Sequence, residues 1–240
     1  MQATLLQRLT AEFIGTALLL ATVVGSGIMG VELSAGNDGI ALLANAAATG
    51  AALYVLIVLF GPISGAHFNP VVTLAMRARG ELRGEVAVAY IAVQLVAAVA
   101  GVVLAHAMFG LELIQPGDHV RSGASQWLSE AVATFGLLLT ILLGVRHRPG
   151  AVPALVACYI FAAYWFTAST SFANPAVTVA RALTRTFAGI RPDDILGFIA
   201  AQVVGALAAL AVTQLLVPLD KQARSAVPPS LVKWWSARRR

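Results

Sequence analysis

This sequence has little charge and almost no cysteine. Of its 240 residues, 11% are charged and one is cysteine. The single Cys158 excludes an intramolecular disulfide and reads as a small residue packed in a helix. There is no His-Glu-x-x-His run and no pairing of a nucleophile with a base, which argues against an enzyme and leaves no catalytic, cofactor or metal-ligating set to name. The formal net charge of +5 comes without a basic recognition helix or an aromatic RNA motif, which argues against nucleic acid as a partner. The first apolar run continues past Gly25 without a clear small-residue cleavage site, so it reads as a span rather than a removable leader.

What the sequence has in quantity is apolar surface. Hydrophobic residues make up 59% of the chain, which places it with multi-pass membrane proteins, and its length accommodates about six spans of about 20 residues. The spans are expected at about Thr10–Met29, Ile40–Phe60, Glu85–Met108, Ser129–Val145, Val152–Thr167 and Asp194–Val217. The longest polar connection, roughly Gly110–Gln126, is the natural linker between two halves.

Two short stretches repeat. Gly65-Ala66-His67-Phe68-Asn69-Pro70-Val71-Val72-Thr73 begins inside a break expected from Gly61 to Phe68, and Ser171-Phe172-Ala173-Asn174-Pro175-Ala176-Val177-Thr178 comes a hundred or so residues later. Each reads as an Asn at a helix N-cap, a Pro at the first helical position and a short apolar helix. The expected half-helices end near Arg77 and near Thr184. Each follows a hydrophobic span through a few small residues, the pattern of a chain that dips into the membrane and turns back. Such backbone is tolerated at membrane depth only when buried in protein or lining a watery cavity.

Other features repeat with the motif. Glu12 opens the first span as Glu130 opens the fourth, and Gln94 and Gln202 sit in similar settings. Three spans per half is an odd number, so the copies must lie in opposite orientations, about 8–109 and 126–217. The expected fold is an all-α membrane protein: six transmembrane helices plus two re-entrant half-helices in an inverted repeat, one channel domain over 1–220 with a basic tail over 221–240. Arg8, Arg77, Arg79, Arg83, Arg146, Arg148 and the tail fall on one side, so that side is expected to be cytoplasmic, with both termini inside a plasma or bacterial inner membrane. The tail either rests on an anionic leaflet or is a solvated extension.

In an inverted repeat the two half-helix N-termini meet at the midplane, each with a partial positive charge of about half a unit. Asn69 and Asn174 are then placed to cap their own helices through the side-chain oxygen and to donate an amide N–H into the lumen. Such a junction attracts solute oxygens and repels cations, and suits passive passage of neutral hydroxylated molecules.

The doubled Asn-Pro motif, the paired Glu12 and Glu130, His67 before the first Asn and the six-span inverted repeat resemble the aquaporin and aquaglyceroporin family over about 8–217. The first copy departs at Val71, where the pattern has Ala; the second keeps Asn174-Pro175-Ala176. The resemblance implies a homotetramer in the lipid bilayer with a pore in every protomer. It implies that the carbonyls of Gly65, Ala66, His67, Thr170, Ser171 and Phe172 line that pore, and that Glu12 and Glu130 brace the dipping loops. A proton relay through the two glutamates is the other reading; no chain of titratable residues connects them. His67 is implied as a lumen hydrogen-bond partner, with a structural role in a loop as the alternative.

The resemblance also points to an outer selectivity filter of four positions. Most members have an Arg three residues after the second Asn; here that residue is Val177. Ungapped offsets put the other positions at Thr49, Ala162 and Ser171, with Tyr159 or Tyr164 as substitutes for Ala162. The expected filter is wide and lacks a fixed charge. Arg181, one turn beyond Val177, is expected at the outer vestibule or paired at the interface. A subset of bacterial aquaporins linked to arsenic detoxification has this look, which implies metalloid hydroxides such as arsenous acid, methylated arsenicals, glycerol-like polyols and water as solutes. The competing class is an ion- or proton-coupled secondary transporter, which also uses inverted repeats and broken helices; against it, neither Asn-Pro motif has a nearby Asp or Glu.

Overall fold

The computed structural model describes residues 3–217, so the basic tail proposed from the sequence lies outside the described residues. Eight α-helices run in order: α1 Leu5–Leu33, α2 Asp38–Ser64, α3 Pro70–Ala78, α4 Gly84–Met108, α5 Ala124–His147, α6 Val152–Phe166, α7 Pro175–Arg181 and α8 Ile195–Leu216. Short 3₁₀ turns at Pro149–Ala151 and Pro192–Asp194 lead into α6 and α8. Six of these helices, all but α3 and α7 and with α6 and α8 taken together with those turns, are long and apolar enough to cross a membrane.

The helices outrun the spans read from hydropathy because polar caps extend them. α1 begins five residues before Thr10, where Thr4 and Gln7 form a capping box: the Thr4 amide donates to Gln7 Oε1 at 2.8 Å and the Gln7 amide to Thr4 Oγ1 at 3.3 Å. Asn37 caps α2 through the Ile40 amide at 3.1 Å. The break expected over 61–68 falls within that stretch, but begins four residues into it. Pro62 sits in the last turn of α2, where its missing N–H removes a single helical bond, and the helix ends only at Gly65, whose left-handed φ of 93° turns the chain.

The inverted repeat is visible in the packing. α1 lies against α2 and α4 in the first half, as α5 lies against α6 and α8 in the second, and α2 meets α6 between the halves. The paired crossings rest on small residues. A Cβ at Gly101 would collide with the Ala17 carbonyl across the α1–α4 contact, and a Cβ at Gly205 would collide with the Ala131 carbonyl across α5–α8. Lipid tails are as apolar as Leu, so close backbone approach at small residues, rather than hydrophobic burial, has to hold such pairs together.

The connection from Phe109 to Gly123 is more than a linker. Its Gln115 and Gly117 amides donate to the carbonyls of Leu183 and Ala182, at 2.9 and 2.8 Å, and its His119 carbonyl accepts from the Arg191 amide at 2.8 Å. His106, buried at the end of α4, bonds Leu113 O through Nδ1 and Thr184 Oγ1 through Nε2. The segment therefore closes over the irregular stretch that follows α7.

Candidate solute pathway at the junction of the half-helices

The half-helices are shorter than the sequence suggests, nine residues for α3 and seven for α7. α7 stops at Arg181 because the chain turns back there, with the Ile190 amide donating to Arg181 O at 3.2 Å. Both start as the motif requires. Asn69 accepts from the Val71 amide at 3.0 Å, and Asn174 from the Ala176 and Val177 amides at 2.9 and 3.3 Å, each with Pro at the first helical position.

The two N-termini meet through their caps. Asn69 Nδ2 donates to the Ala173 carbonyl and Asn174 Nδ2 to the Phe68 carbonyl, both at 2.8 Å. A side-chain amide carries two N–H groups, so one is spent on the opposite loop and one remains.

Each dip is held in a conformation that L-residues seldom adopt. Gly65, Ala66 and Phe68 in the first, and Thr170, Ser171 and Ala173 in the second, have φ between 48° and 93°. For the non-glycine residues such backbone costs on the order of 1–3 kcal/mol each and persists only when its surroundings over-determine it. The buried acids do that. Glu12 accepts from the His67 and Phe68 amides (2.9 and 2.7 Å), Ser64 Oγ (2.6 Å) and Gln94 Nε2 (2.8 Å). Glu130 accepts from the Phe172 and Ala173 amides (2.8 and 2.9 Å), Ser169 Oγ (2.6 Å) and Gln202 Nε2 (2.7 Å). The glutamines also donate to Thr73 Oγ1 and Thr178 Oγ1, whose hydroxyls donate to the carbonyls of Asn69 and Asn174. Each carboxylate is thus saturated with donors, which offsets the cost of burying its charge.

A lumen of about 90 Å³ runs past this junction. It is lined by the loop and cap residues Gly65, Ala66, His67, Asn69, Ser171, Phe172 and Asn174 and by apolar helix residues, among them Leu19, Val23, Leu53, Ile57, Leu137, Ile141, Val156 and Ile160. Thr170, expected in the lining, is half-buried and is not among the lining residues. Among the described residues no Asp or Glu lines it. His67 Nδ1 lies 3.0 Å from Thr73 Oγ1, and its ring stands edge-on to Tyr90, whose hydroxyl donates to Ser64 O and accepts from Arg8 Nε.

At the end of the lumen beyond Asn174 the wall is formed by Thr49, Tyr164, Ser171, Val177 and Arg181. Ala162 is not among the lining residues; it is exposed on the outer face of α6, and Ile160 and Tyr164 face inward instead. The ungapped offset misplaced it because α6 ends at Phe166 and the count crosses non-helical chain. Two residues on a helix amount to about 200° of rotation, enough to change faces. Tyr159 also turns away, its hydroxyl bonded to the Val132 and Ala133 carbonyls. Tyr164 OH lies 3.3 Å from Thr49 Oγ1. Among the described residues no carboxylate pairs with Arg181, and it is not at the surface: it is buried, and its guanidinium carbon lies 3.4 Å from the centre of the Phe172 ring.

The comparisons with known proteins agree with this architecture. The family model described as Major intrinsic protein matches residues 1–165. The chain belongs to that family. It is 54% identical over 213 residues to the aquaglyceroporin AqpS of Rhizobium meliloti, covering 89% of this chain and 91% of that one. It is 31% identical over 182 residues to a probable aquaporin AqpM of Archaeoglobus fulgidus, covering 67% and 73%. Among solved structures, the aquaglyceroporin from Plasmodium falciparum shares the fold, with a TM-score of 0.70, 16% identity and coverage of 90% of this chain and 97% of that one. The protein is a multi-pass membrane channel, not an enzyme.

Proposed function

We propose that the channel passes small neutral hydroxylated solutes without coupling: water, glycerol-like polyols, and metalloid hydroxides such as arsenous acid and methylated arsenicals. The observation that carries this reading is the lumen itself. Carbonyl-bearing loops and two Asn amides line it together with apolar side chains, and among the described residues no carboxylate does. A solute can exchange water for carbonyls and N–H groups and slide past the apolar side chains without being bound by them. The two acids that a coupled transporter would need are both occupied by backbone and side-chain donors. Val177 leaves the outer constriction free of a side chain of Arg size at that position, which favours solutes bulkier than water. The relative of Rhizobium meliloti is named an aquaglyceroporin, which supports polyols among the solutes.

In the same reading the protein is a homotetramer with one lumen per protomer. Its termini face the cytoplasm, because Arg8, Arg77, Arg79, Arg83, Arg146 and Arg148 gather at that end. Stopped-flow shrinkage and swelling of proteoliposomes in water, glycerol and arsenous acid gradients tests the proposal. Flux that rises linearly with gradient and is indifferent to a protonophore is expected; flux that collapses when the proton gradient is dissipated would establish coupled transport.

A further inference from the structure

Arg181 is an anomaly in the lumen wall. It is 2% exposed, it ends α7, and among the described residues no carboxylate pairs with it. Among the described residues its one side-chain hydrogen bond runs from Nε to the Ala188 carbonyl. The planar guanidinium lies over the Phe172 ring, and Arg121 stands 5.1 Å from the centre of the same ring. Arg121 is spoken for: its Nε donates to Gly189 O and its Nη1 to Ser169 O. The two terminal nitrogens of Arg181 make no hydrogen bond to the described residues, and Arg181 belongs to the lumen wall. So does Ser171, whose Oγ is buried without a partner among the described residues. A buried cation with unfilled donors and a buried hydroxyl with no partner, both on one lumen, point to oxygen atoms supplied from the lumen.

We propose that Arg181, one helical turn beyond Val177, supplies the fixed charge and the hydrogen-bonding fork of the outer constriction. This rests on the channel reading above and adds to it the residue that selects. Backbone and ring hold the guanidinium flat, so its fork is preorganised for solutes that carry two oxygens close together, vicinal diols and oxyacids in their neutral form, with Ser171 Oγ as a further contact. The same charge opposes cations, which α7, only seven residues long, is poorly equipped to repel through its dipole. Placing the charge at the end of α7 leaves the position at Val177 open, so exclusion of cations and a wide bore coexist.

Two variants in proteoliposomes test the two parts. Arg181→Gln, normalised to its own water flux, is expected to raise potassium conductance at least about tenfold by removing the charge. Arg181→Lys keeps the charge and loses the fork; it is expected to stay closed to potassium while its glycerol-to-water flux ratio falls at least about threefold. An Arg181→Gln channel that carries water and excludes potassium as wild type does would overturn the charge role. An Arg181→Lys channel with an unchanged glycerol-to-water ratio would overturn the fork. If Arg181→Gln does not assemble, the ratio in Arg181→Lys decides alone. Wild-type protein that passes neither water nor glycerol would instead sink the channel reading, a result distinct from either.

Discussion

Asn69 and Asn174 each use the side-chain oxygen to cap a helix and one N–H to join the opposite loop, and both line the lumen. Replacing either by Asp keeps the cap and removes both donors, setting a carboxylate against a carbonyl. Water flux through Asn69→Asp or Asn174→Asp is expected to fall at least about tenfold, a barrier of about 1.4 kcal/mol; wild-type flux from correctly inserted protein would remove these residues from the pathway. The glutamates are testable in the same way. Gln at Glu12 or Glu130 still accepts through its one oxygen, whereas Leu strands buried donors at about 1–3 kcal/mol each. Thermal stability in detergent is therefore expected to order wild type, then Gln, then Leu. Should Glu→Gln abolish flux while Glu→Leu leaves stability and flux intact, the glutamates do proton chemistry and not bracing.

At this scale the sequence was legible wherever the two halves repeat. Glu12 and Glu130, Gln94 and Gln202, and the two Asn-Pro pairs announce themselves as couples, and the contacts of one predict those of the other. It was opaque where one half has no echo. The inward face of α6 depends on where that helix stops, and the seat of Arg181 depends on Phe172 and on a turn back after α7 that no periodicity encodes.

At the scale of elements, the α1–α4 and α5–α8 crossings bring a glycine of one helix against a carbonyl of the other. Hydropathy located the spans, yet a 59% hydrophobic chain offers no contrast to tell which face of a span meets a neighbour. The helix ends were equally hidden: Thr4 and Gln7 extend α1 through hydrogen bonds that an apolar window ignores, and Pro62 is tolerated because it falls in a last turn. Gly101→Leu or Gly205→Leu must push the helices apart, and overpacking of this kind costs about 1–3 kcal/mol or more. A lower melting temperature and a smaller monodisperse fraction on size exclusion are expected for both, with similar losses because the sites are equivalent by the inverted repeat. Wild-type behaviour of either variant would contradict the close approach.

For the whole molecule, the inverted repeat turns two weak local devices into one continuous path. Each dip supplies half of the polar strip, and neither half-helix reaches far alone: at 1.5 Å per residue, nine and seven residues span about 13 and 10 Å. The fold was therefore readable from the sequence because an odd number of spans per half admits only the opposed arrangement, while the bore, set by which side chains face one another across the lumen, was readable only in part. The central claim is that a pathway of this bore admits solutes bulkier than water because Val177 leaves its outer end open. The most direct measurement is the glycerol-to-water flux ratio of Val177→Arg against wild type, by stopped-flow on the same preparation of liposomes. An added guanidinium between Ser171 and Tyr164 is expected to lower that ratio at least about tenfold, since about 1.4 kcal/mol of extra barrier suffices and a steric clash in a packed lumen readily reaches it. An unchanged ratio would show that Val177 does not border the narrow part of the path and would contradict the account.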